Sequence, residues 1–419
     1  MINILGINIS TDSKREILQK ISSFLSSASQ GGDGHYIVTP NPEFLLAAQH
    51  DEEFFYILNK ADIAVPDGVG LSLAALAMGK VIRRISGIDL IFDICEIAEQ
   101  KGKSIFLLGG GEGVARQAAD KLKNLYPKLK IAGAEIGLRV GEWEIKNGLW
   151  TRGEPQNKNL ELKINEARPD IIFVAFGHSK QEKWIWHALI GKGRGAMQSS
   201  FVKIAMGVGG SFDFISGKIK RAPKVFRLLG MEWLWRLLQE PRKRLPRIFN
   251  AVVKFSYEFF KWRFVKPFLY RPNVACLLFK REGGKIKVLL AERRDQTGHW
   301  QLPQGGTDGE DLASAGAREL REEIGTDKFK KIATFKNLYY YDFGEETGRA
   351  NVLAKKIRGY RGQKQGLFVA EFTGRDSEIT INYWDHRAWK WVALEDVVDA
   401  VHPVRKEATK IFMEKFKKL

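Results

Sequence analysis

Cysteine is nearly absent from this 419-residue chain, which has only Cys95 and Cys276. The two lie in different halves, so a disulfide framework is excluded and a reducing cytoplasm is the expected compartment. Long apolar runs are missing as well. No window of about 18 uncharged apolar residues occurs, so no spanning helix is expected. The most apolar stretch, residues 63–79, is interrupted by Pro66, Asp67 and glycines. At the start, MINILGINIS has no basic segment leading into an apolar one, and no signal peptide is expected. Asp-x-Asp pairs are absent throughout. With 44% hydrophobic and 28% charged residues, neither a disordered nor a collagen-like chain fits. The length suits two or three domains with full cores.

What the chain has in excess is positive charge. Its formal net charge is +18 and its pI about 9.6. That points to anionic partners: lipid head groups, phosphates or nucleic acid. The excess is local. Residues 218–271 hold fifteen Lys or Arg against three Glu, with twelve aromatics interleaved. This stretch divides the chain.

Before it, short β-rich runs alternate with helical patterns. Strands are predicted at 35–39, 63–66, 104–108, 131–134, 170–177 and 202–208. Helices are predicted at 13–26, 42–50, 113–126 and 180–189. The alternation argues for a wound α/β fold, a parallel Rossmann-like sheet covered by helices on both faces. Ligands bind such sheets at the carboxyl ends of the strands. The informative residues do follow the predicted strands. They are Thr39-Pro40-Asn41-Pro42-Glu43, Pro66-Asp67-Gly68, the glycine run 109–113, residues 177–182 and residues 207–213. Glycines where a strand meets a helix suit a phosphate, because backbone N–H groups and the helix dipole face it. A tight turn explains Gly109 and Gly110 equally well. Asp67 reads either as a turn carboxylate or as a base. His178 reads as a surface or packing histidine.

Together the loops are more specific. TPNPEFLLAA, ADIAVPDGVGL, RRISGIDL, IFLLGGGEGVA, PDIIFVAFGHSKQEKW, GVGGSFDFISGKIKRAP and MEWLWRLLQEPRKR resemble, in order, the WecG/TagA/CpsF-type glycosyltransferases. That family includes teichoic-acid and enterobacterial-common-antigen N-acetylmannosaminyltransferases. The resemblance spans about residues 1–247. It implies transfer of an N-acetylhexosamine, typically N-acetylmannosamine, from a UDP-sugar donor to a sugar on undecaprenyl diphosphate. It implies Asp67 as general base, with Thr39, Asn41, Arg84 and Gln181 lining the site. Gly109 and Gly110 of the glycine run and Arg221 of the basic stretch are further substrate-binding candidates. A carboxylate must take the proton of the acceptor hydroxyl, and the charge developing on UDP must be stabilised. Without an Asp-x-Asp pair, an inverting, metal-independent transfer with no cofactor is expected. Arg84 and arginines of the basic stretch would replace the metal. Segments 139–163 and 191–200 depart from a compact family member.

Within the basic stretch, apolar positions 245, 248, 249, 252, 253, 259 and 260 lie on one helical face. Arg247, Lys254 and Lys261 recur every seven residues on another, and Trp262, Phe264 and Phe268 thicken the apolar flank. Such a helix suits the membrane interface, where each cation near anionic lipid adds about 1 kcal/mol. A helix packed between domains, or a nucleic-acid contact, fits the same pattern. Pro267 and Pro272 are expected to end it.

After it comes Gly305-Gly306-Thr307-Asp308-Gly309-Glu310, and then Arg318-Glu319-Leu320-Arg321-Glu322-Glu323-Ile324-Gly325. Glu319, Glu322 and Glu323 stand at i, i+3 and i+4, on one helical face. Such crowding favours a bound cation, and oxygen ligands suit Mg²⁺ or Mn²⁺. A solvated acidic face paired with Arg318 and Arg321 is the alternative. The stretch resembles the Nudix box, whose conserved positions fall on Arg318, Glu319, Glu322, Glu323 and Gly325. The loop is one residue shorter than usual, and Thr326 replaces an aliphatic residue. RPN at 271–273, HWQLPQGG at 299–306, YRGQKQ at 360–365 and WKWV at 389–392 extend the likeness to RNA 5′-pyrophosphohydrolases and dinucleoside-polyphosphate hydrolases. The resemblance implies Glu319, Glu322 and Glu323 as metal ligands, Glu322 and Glu323 as catalytic groups, and a nucleotide or RNA 5′ end as substrate. Arg271, Arg361 and Lys364 read as phosphate ligands or as surface cations. Strands at 274–279, 287–292, 368–372 and 388–392 predict an α/β/α sandwich.

The expected organisation is a glycosyltransferase domain at 1–243, a basic aromatic amphipathic linker at 244–270 and a Nudix domain at 271–419. The expected protein is a bifunctional enzyme, cytoplasmic and peripheral on the inner face of the plasma membrane, with homo-oligomerisation left open. One rival is an RNA-processing or dinucleoside-polyphosphate hydrolase whose first half is a degenerate sugar-nucleotide-binding module. Another is a membrane scaffold with neither activity.

Overall fold

The computed structural model describes residues 1–26, 34–136, 143–146, 149–152, 156–190, 201–223, 225–226, 232–239, 241–343 and 359–419. The expected departure at 191–200, part of that at 139–163, and the side chain of Arg247 lie outside the described residues. The chain forms two compact units. One comprises Met1–Glu142 and Arg152–Phe260, the other Trp143–Thr151 and Lys261–Leu419.

In the first unit six strands form a parallel sheet. Their order is Ile63–Ala64, His35–Val38, Ile204–Gly207, Ile171–Ala175, Ser104–Gly109 and Lys130–Glu135. Each matches a predicted strand to within two residues. The central segments SIFLLG, IIFVA and IAMG are unbroken apolar runs because a parallel sheet is covered on both faces. On one face Ile37, Ile105, Leu107, Phe173 and Met206 join Ile17, Ile21, Ile91, Ile94, Ala118 and Leu122 in one core. Those partners come from helices Lys14–Ser26, Gly87–Gln100 and Val114–Leu125. On the other face Tyr36, Val38, Phe106, Leu108 and Val174 are buried too, and helix Lys180–Ile185 packs there. A hairpin of Ile2–Ile4 and Ile7–Ile9, not expected from the sequence, precedes the sheet.

The basic stretch is helical. Helices Glu232–Gln239 and Pro241–Ile248 lead through wider turns at Phe249–Lys254 into Phe255–Phe260. Phe255 and Phe259, four apart, are buried where this last helix packs on helices Pro42–Ala48 and Val69–Ala77. Those two rings anchor the stretch to the first unit as far as Phe260. Lys261 onward belongs to the second unit. Leu245, Phe249, Val252, Val253 and Phe260, on the predicted apolar face, remain exposed. Among the described residues no helix is long and apolar enough to cross a membrane.

The second unit is built on a seven-stranded mixed sheet. Strand Tyr270–Glu282 pairs in parallel with Gly362–Phe372 and antiparallel with Lys285–Arg293 and Gln304–Gly306. Alternate residues of Tyr270–Glu282 serve opposite faces, as the two-residue period of a strand requires. Ala275, Leu277 and Phe279 pack with Phe412, Met413 and Phe416 of helix Lys406–Phe416. Val274, Cys276 and Leu278 pack with Leu312, Ala315, Leu320 and Ile324 of helix Leu312–Ile324. This is the expected helix–sheet–helix sandwich, with the glutamate helix on one face.

Candidate active sites

Thr39, Asp67 and Arg84 come together beyond the carboxyl ends of strands His35–Val38 and Ile63–Ala64. The Asp67 backbone N–H donates to Pro40 O at 2.9 Å, which ties the two loops. Gly68 then turns the chain at φ 111°, a conformation that favours glycine. Asp67 Oδ1 accepts from Arg84 Nε at 3.3 Å, and Oδ2 accepts from Gly87 N at 3.3 Å. A Cβ on Gly87 would lie 3.4 Å from Thr39 Oγ1 and 3.7 Å from Asp67 Oδ2. Glycine thus keeps the space between these groups open.

Behind Asp67 the charges alternate. Arg84 Nη2 donates to Glu232, a buried carboxylate on helix Glu232–Gln239. Glu232 Oε1 is 3.6 Å from Arg221 Nε, and Arg221 Nη2 is 2.7 Å from Asp89 Oδ1. Burial opposes the charge on Arg84, but Asp67 and Glu232 outweigh it and hold its pKa above the ordinary guanidinium value. Glu232 and Asp89 lie within the stretches MEWLWRLLQEPRKR and RRISGIDL, and the fold alone brings them to Arg84 and Arg221.

The other expected residues take different places. Asn41 caps helix Pro42–Ala48, its Oδ1 accepting from Phe44 N at 3.1 Å. Gln181 is buried. Its Nε2 donates to Glu182 Oε1 at 2.6 Å and its Oε1 accepts from Gly209 N at 2.9 Å. The Gln181 amide therefore holds the loop after strand Ile204–Gly207. Burial pushes the Glu182 carboxyl up to about 8. Gly109 and Gly110 have φ 109° and 80°. Gly110 N donates to Ala175 O at 3.1 Å, and a Cβ on Gly109 would strike the Ala175 backbone. The glycine run thus passes close over a neighbouring strand end on its way to helix Val114–Leu125.

In the second unit Asp311 caps helix Leu312–Ile324, accepting from Ala313 N at 2.9 Å and Ser314 N at 3.2 Å. Gly325 ends it at φ 69°. Arg318 stitches the loop to the helix. Its Nη1 donates to Glu319 Oε1 at 2.8 Å and Glu322 Oε2 at 3.0 Å, its Nε to Glu310 Oε2 at 2.9 Å and its Nη2 to Gly306 O at 2.7 Å. Glu319 and Glu323 are buried, while Glu322 is open to solvent. Glu323 Oε2 accepts from Gln304 N at 2.9 Å and lies 3.2 Å from His386 Nε2. Gln365 Nε2 donates to Asn273 Oδ1 at 2.9 Å and Gln304 Oε1 at 2.8 Å, bracing the same loop from the sheet. A Cβ on Gly305 would overlap the Glu319 carboxylate, and one on Gly306 the Arg271 guanidinium. At both positions a Cβ fits only if the facing carboxylate or guanidinium moves. Arg361 pairs with Asp342 at 2.6 Å. The roles of His386, Asn273 and Gln365 were not expected from the sequence.

Glu319, Glu322 and Glu323 offer hard oxygen donors, the chemistry that Mg²⁺ and Mn²⁺ take. Among the described residues no three His, Cys, Asp or Glu side chains converge as a ready cage. Arg318 instead bridges Glu319 and Glu322. The donor type fits a divalent cation, which would compete with Arg318 for those oxygens.

The family model of the Glycosyl transferase WecG/TagA/CpsF family matches residues 2–267, and that of the NUDIX domain matches residues 269–414. The chain is 34% identical over 267 residues to an N-acetylglucosaminyldiphosphoundecaprenol N-acetyl-beta-D-mannosaminyltransferase of Bacillus subtilis (strain 168), covering 63% of this chain and 86% of that protein. It is 40% identical over 152 residues to an RNA pyrophosphohydrolase of Wolbachia pipientis subsp. Culex pipiens (strain wPip), covering 35% of this chain and 89% of that protein. A solved C. elegans Ap4A hydrolase binary complex shares 20% identity over 36% of this chain and 99% of its own, with a TM-score of 0.27. Both matched families are enzymes. The chain belongs to the WecG/TagA/CpsF glycosyltransferase family and carries a NUDIX domain after its transferase part.

Proposed function

We propose that the first unit transfers N-acetylmannosamine from UDP-N-acetylmannosamine to a sugar on undecaprenyl diphosphate, for cell-surface polysaccharide. We propose that the Nudix domain hydrolyses a phosphoanhydride of a nucleotide or an RNA 5′ end. The pairing of Asp67 with Arg84, backed by Glu232, carries the first part. Asp67 takes the proton of the acceptor hydroxyl as it attacks the anomeric carbon with inversion. Thr39 bounds the space beside it. Arg84 and Arg221 face the charge growing on the departing UDP, so no metal is required for transfer. With the Gly110 N–H given to Ala175 O, Gly109 and Gly110 turn the chain toward the N-terminus of helix Val114–Leu125, which would offer a second phosphate position. Gln181 acts through the Gly209 loop. The name of the Bacillus relative supports this sugar and this acceptor.

In the Nudix domain Glu319, Glu322 and Glu323 would hold Mg²⁺ or Mn²⁺, which when bound supplies positive charge against phosphate oxygens. Glu322 and Glu323 are the groups available to take a proton from the attacking water. Gln304 N fixes the Glu323 carboxylate, and Arg271 steadies a substrate phosphate. The name of the Wolbachia relative supports an RNA 5′ end.

The exposed row Leu245, Phe249, Val252, Val253 and Phe260, with Arg242 and Lys254 exposed nearby, supports binding to an anionic membrane surface. That surface would be the cytoplasmic face of the plasma membrane, where a lipid-linked acceptor is presented. The intact Asp67–Arg84 pairing favours a working transferase over a degenerate module. A screen of UDP-sugars with a short-chain lipid diphosphate acceptor, with and without Mg²⁺, tests the reading. Transfer is expected in both conditions and nucleotide hydrolysis only with Mg²⁺. A strict metal requirement for transfer contradicts it.

A further inference from the structure

Between Asp67 and Asp89 the chain carries three bases, Lys80, Arg83 and Arg84, and no acid. Helix Val69–Ala77 occupies the first part of this stretch. It buries Leu71, Ala74 and Ala75. Leu73 and Leu76, three apart and so on one side, are each 60% exposed, and Val81 in the following loop is 79% exposed. Lys80 and Arg83 are exposed beside Val81. Single exposed leucines are ordinary, but here three large exposed aliphatics fall within nine residues, with Lys80 the only charge among them and Arg83 two residues on. The patch is held firmly from behind. The Phe255 ring would lie 3.7 Å from a Cβ on Gly70, and Ile85 N donates to Pro66 O at 2.9 Å. The loop then runs directly into Arg84 and its pairing with Asp67.

We propose that the outer face of residues 69–83 is a second lipid-contacting element, with Leu73, Leu76 and Val81 entering an anionic bilayer surface while Lys80 and Arg83 pair with its phosphates. This rests on the transferase reading and adds to it. The catalytic carboxylate is then set at the lipid interface by its own flanking helix, not only by the basic stretch at 241–260. Aliphatic side chains ringed by cations match an interfacial lipid site.

The test uses the full chain and a Leu73→Gln/Leu76→Gln/Val81→Gln variant. Sedimentation is measured with vesicles of phosphatidylglycerol and phosphatidylcholine, and with phosphatidylcholine alone. The wild type is expected to bind the anionic vesicles, and the variant to bind at least about tenfold more weakly. Turnover of a water-soluble short-chain acceptor should stay within about twofold, which also reports that the variant is folded. Lys80→Gln/Arg83→Gln, which leaves the helix untouched, should reduce the preference for anionic over neutral vesicles. Equal vesicle binding by wild type and the triple variant overturns the proposal. So does a change of oligomeric state in the variant, which assigns the face to a second copy. If the wild type transfers sugar to soluble acceptor yet ignores anionic vesicles, this inference fails and the transferase reading stands. If it transfers no sugar at all, the transferase reading fails with it.

Discussion

Glu232 accepts a hydrogen bond from Arg84, 148 residues earlier in the chain. It places a buried carboxylate behind the guanidinium that faces Asp67, and it does so from the basic stretch. That stretch therefore helps to shape the first site as well as carrying charge. Glu232→Gln keeps the shape and removes the charge. A charged hydrogen bond of this kind is worth roughly 1.5–3 kcal/mol, so kcat for sugar transfer should fall about 10- to 100-fold with nucleotide hydrolysis unchanged. Steady-state kinetics of both reactions check this, and an unaltered transfer rate detaches Glu232 from the site.

Glu182 makes a prediction about pH. Its folded pKa of about 8 stands above its ordinary value of 4.5 because it is buried. Between those values the folded protein keeps a proton that the unfolded chain has released. Stability contributed here is therefore complete below about pH 4.5 and lost progressively as pH rises to about 8. Glu182→Gln removes the ionisable group and keeps an oxygen for Gln181. Its thermal midpoint should equal that of the wild type near pH 5 and exceed it by several degrees (about 2–4 °C per kcal/mol) at pH 9. A midpoint difference that is the same at both pH values rules the account out.

Gly305 tests the second site. A Cβ there overlaps the Glu319 carboxylate, so Gly305→Ala must displace that buried side chain. A shift of about 1 Å in a catalytic constellation costs about 100-fold in rate. Hydrolysis should fall by at least that, and Mn²⁺ titration by calorimetry should show weaker binding, while sugar transfer is retained. Wild-type Mn²⁺ affinity in the variant would remove Glu319 from the metal site.

Much of this was legible in the sequence, for physical reasons. The inner strands of the parallel sheet are buried on both faces, so they appear as apolar runs closed by Gly, Pro or Asp. The glutamate helix is legible because three acids on one face, a capping Asp311 and a terminal Gly325 all have local causes. The hairpin at residues 2–9 was missed because three-residue strands show no period. Strand Phe329–Asp342 lies at the sheet edge and carries Lys330, Lys331 and Lys336, residues that block edge pairing and disguise a strand. Periodicity in the basic stretch revealed an apolar face, but not that Phe255 and Phe259 would anchor it to the first unit. The partners Glu232 for Arg84, and His386 for Glu323, are set by the fold rather than by spacing, and no local pattern announces them.

The most direct test measures both reactions on the full chain carrying either Asp67→Asn or Glu322→Gln. Loss of a general base costs about 10²- to 10⁴-fold. Asp67→Asn should abolish sugar transfer on that scale and spare metal-dependent hydrolysis, and Glu322→Gln should do the reverse. A single substitution that removes both activities, or neither, contradicts the account of two separate catalysts in one chain.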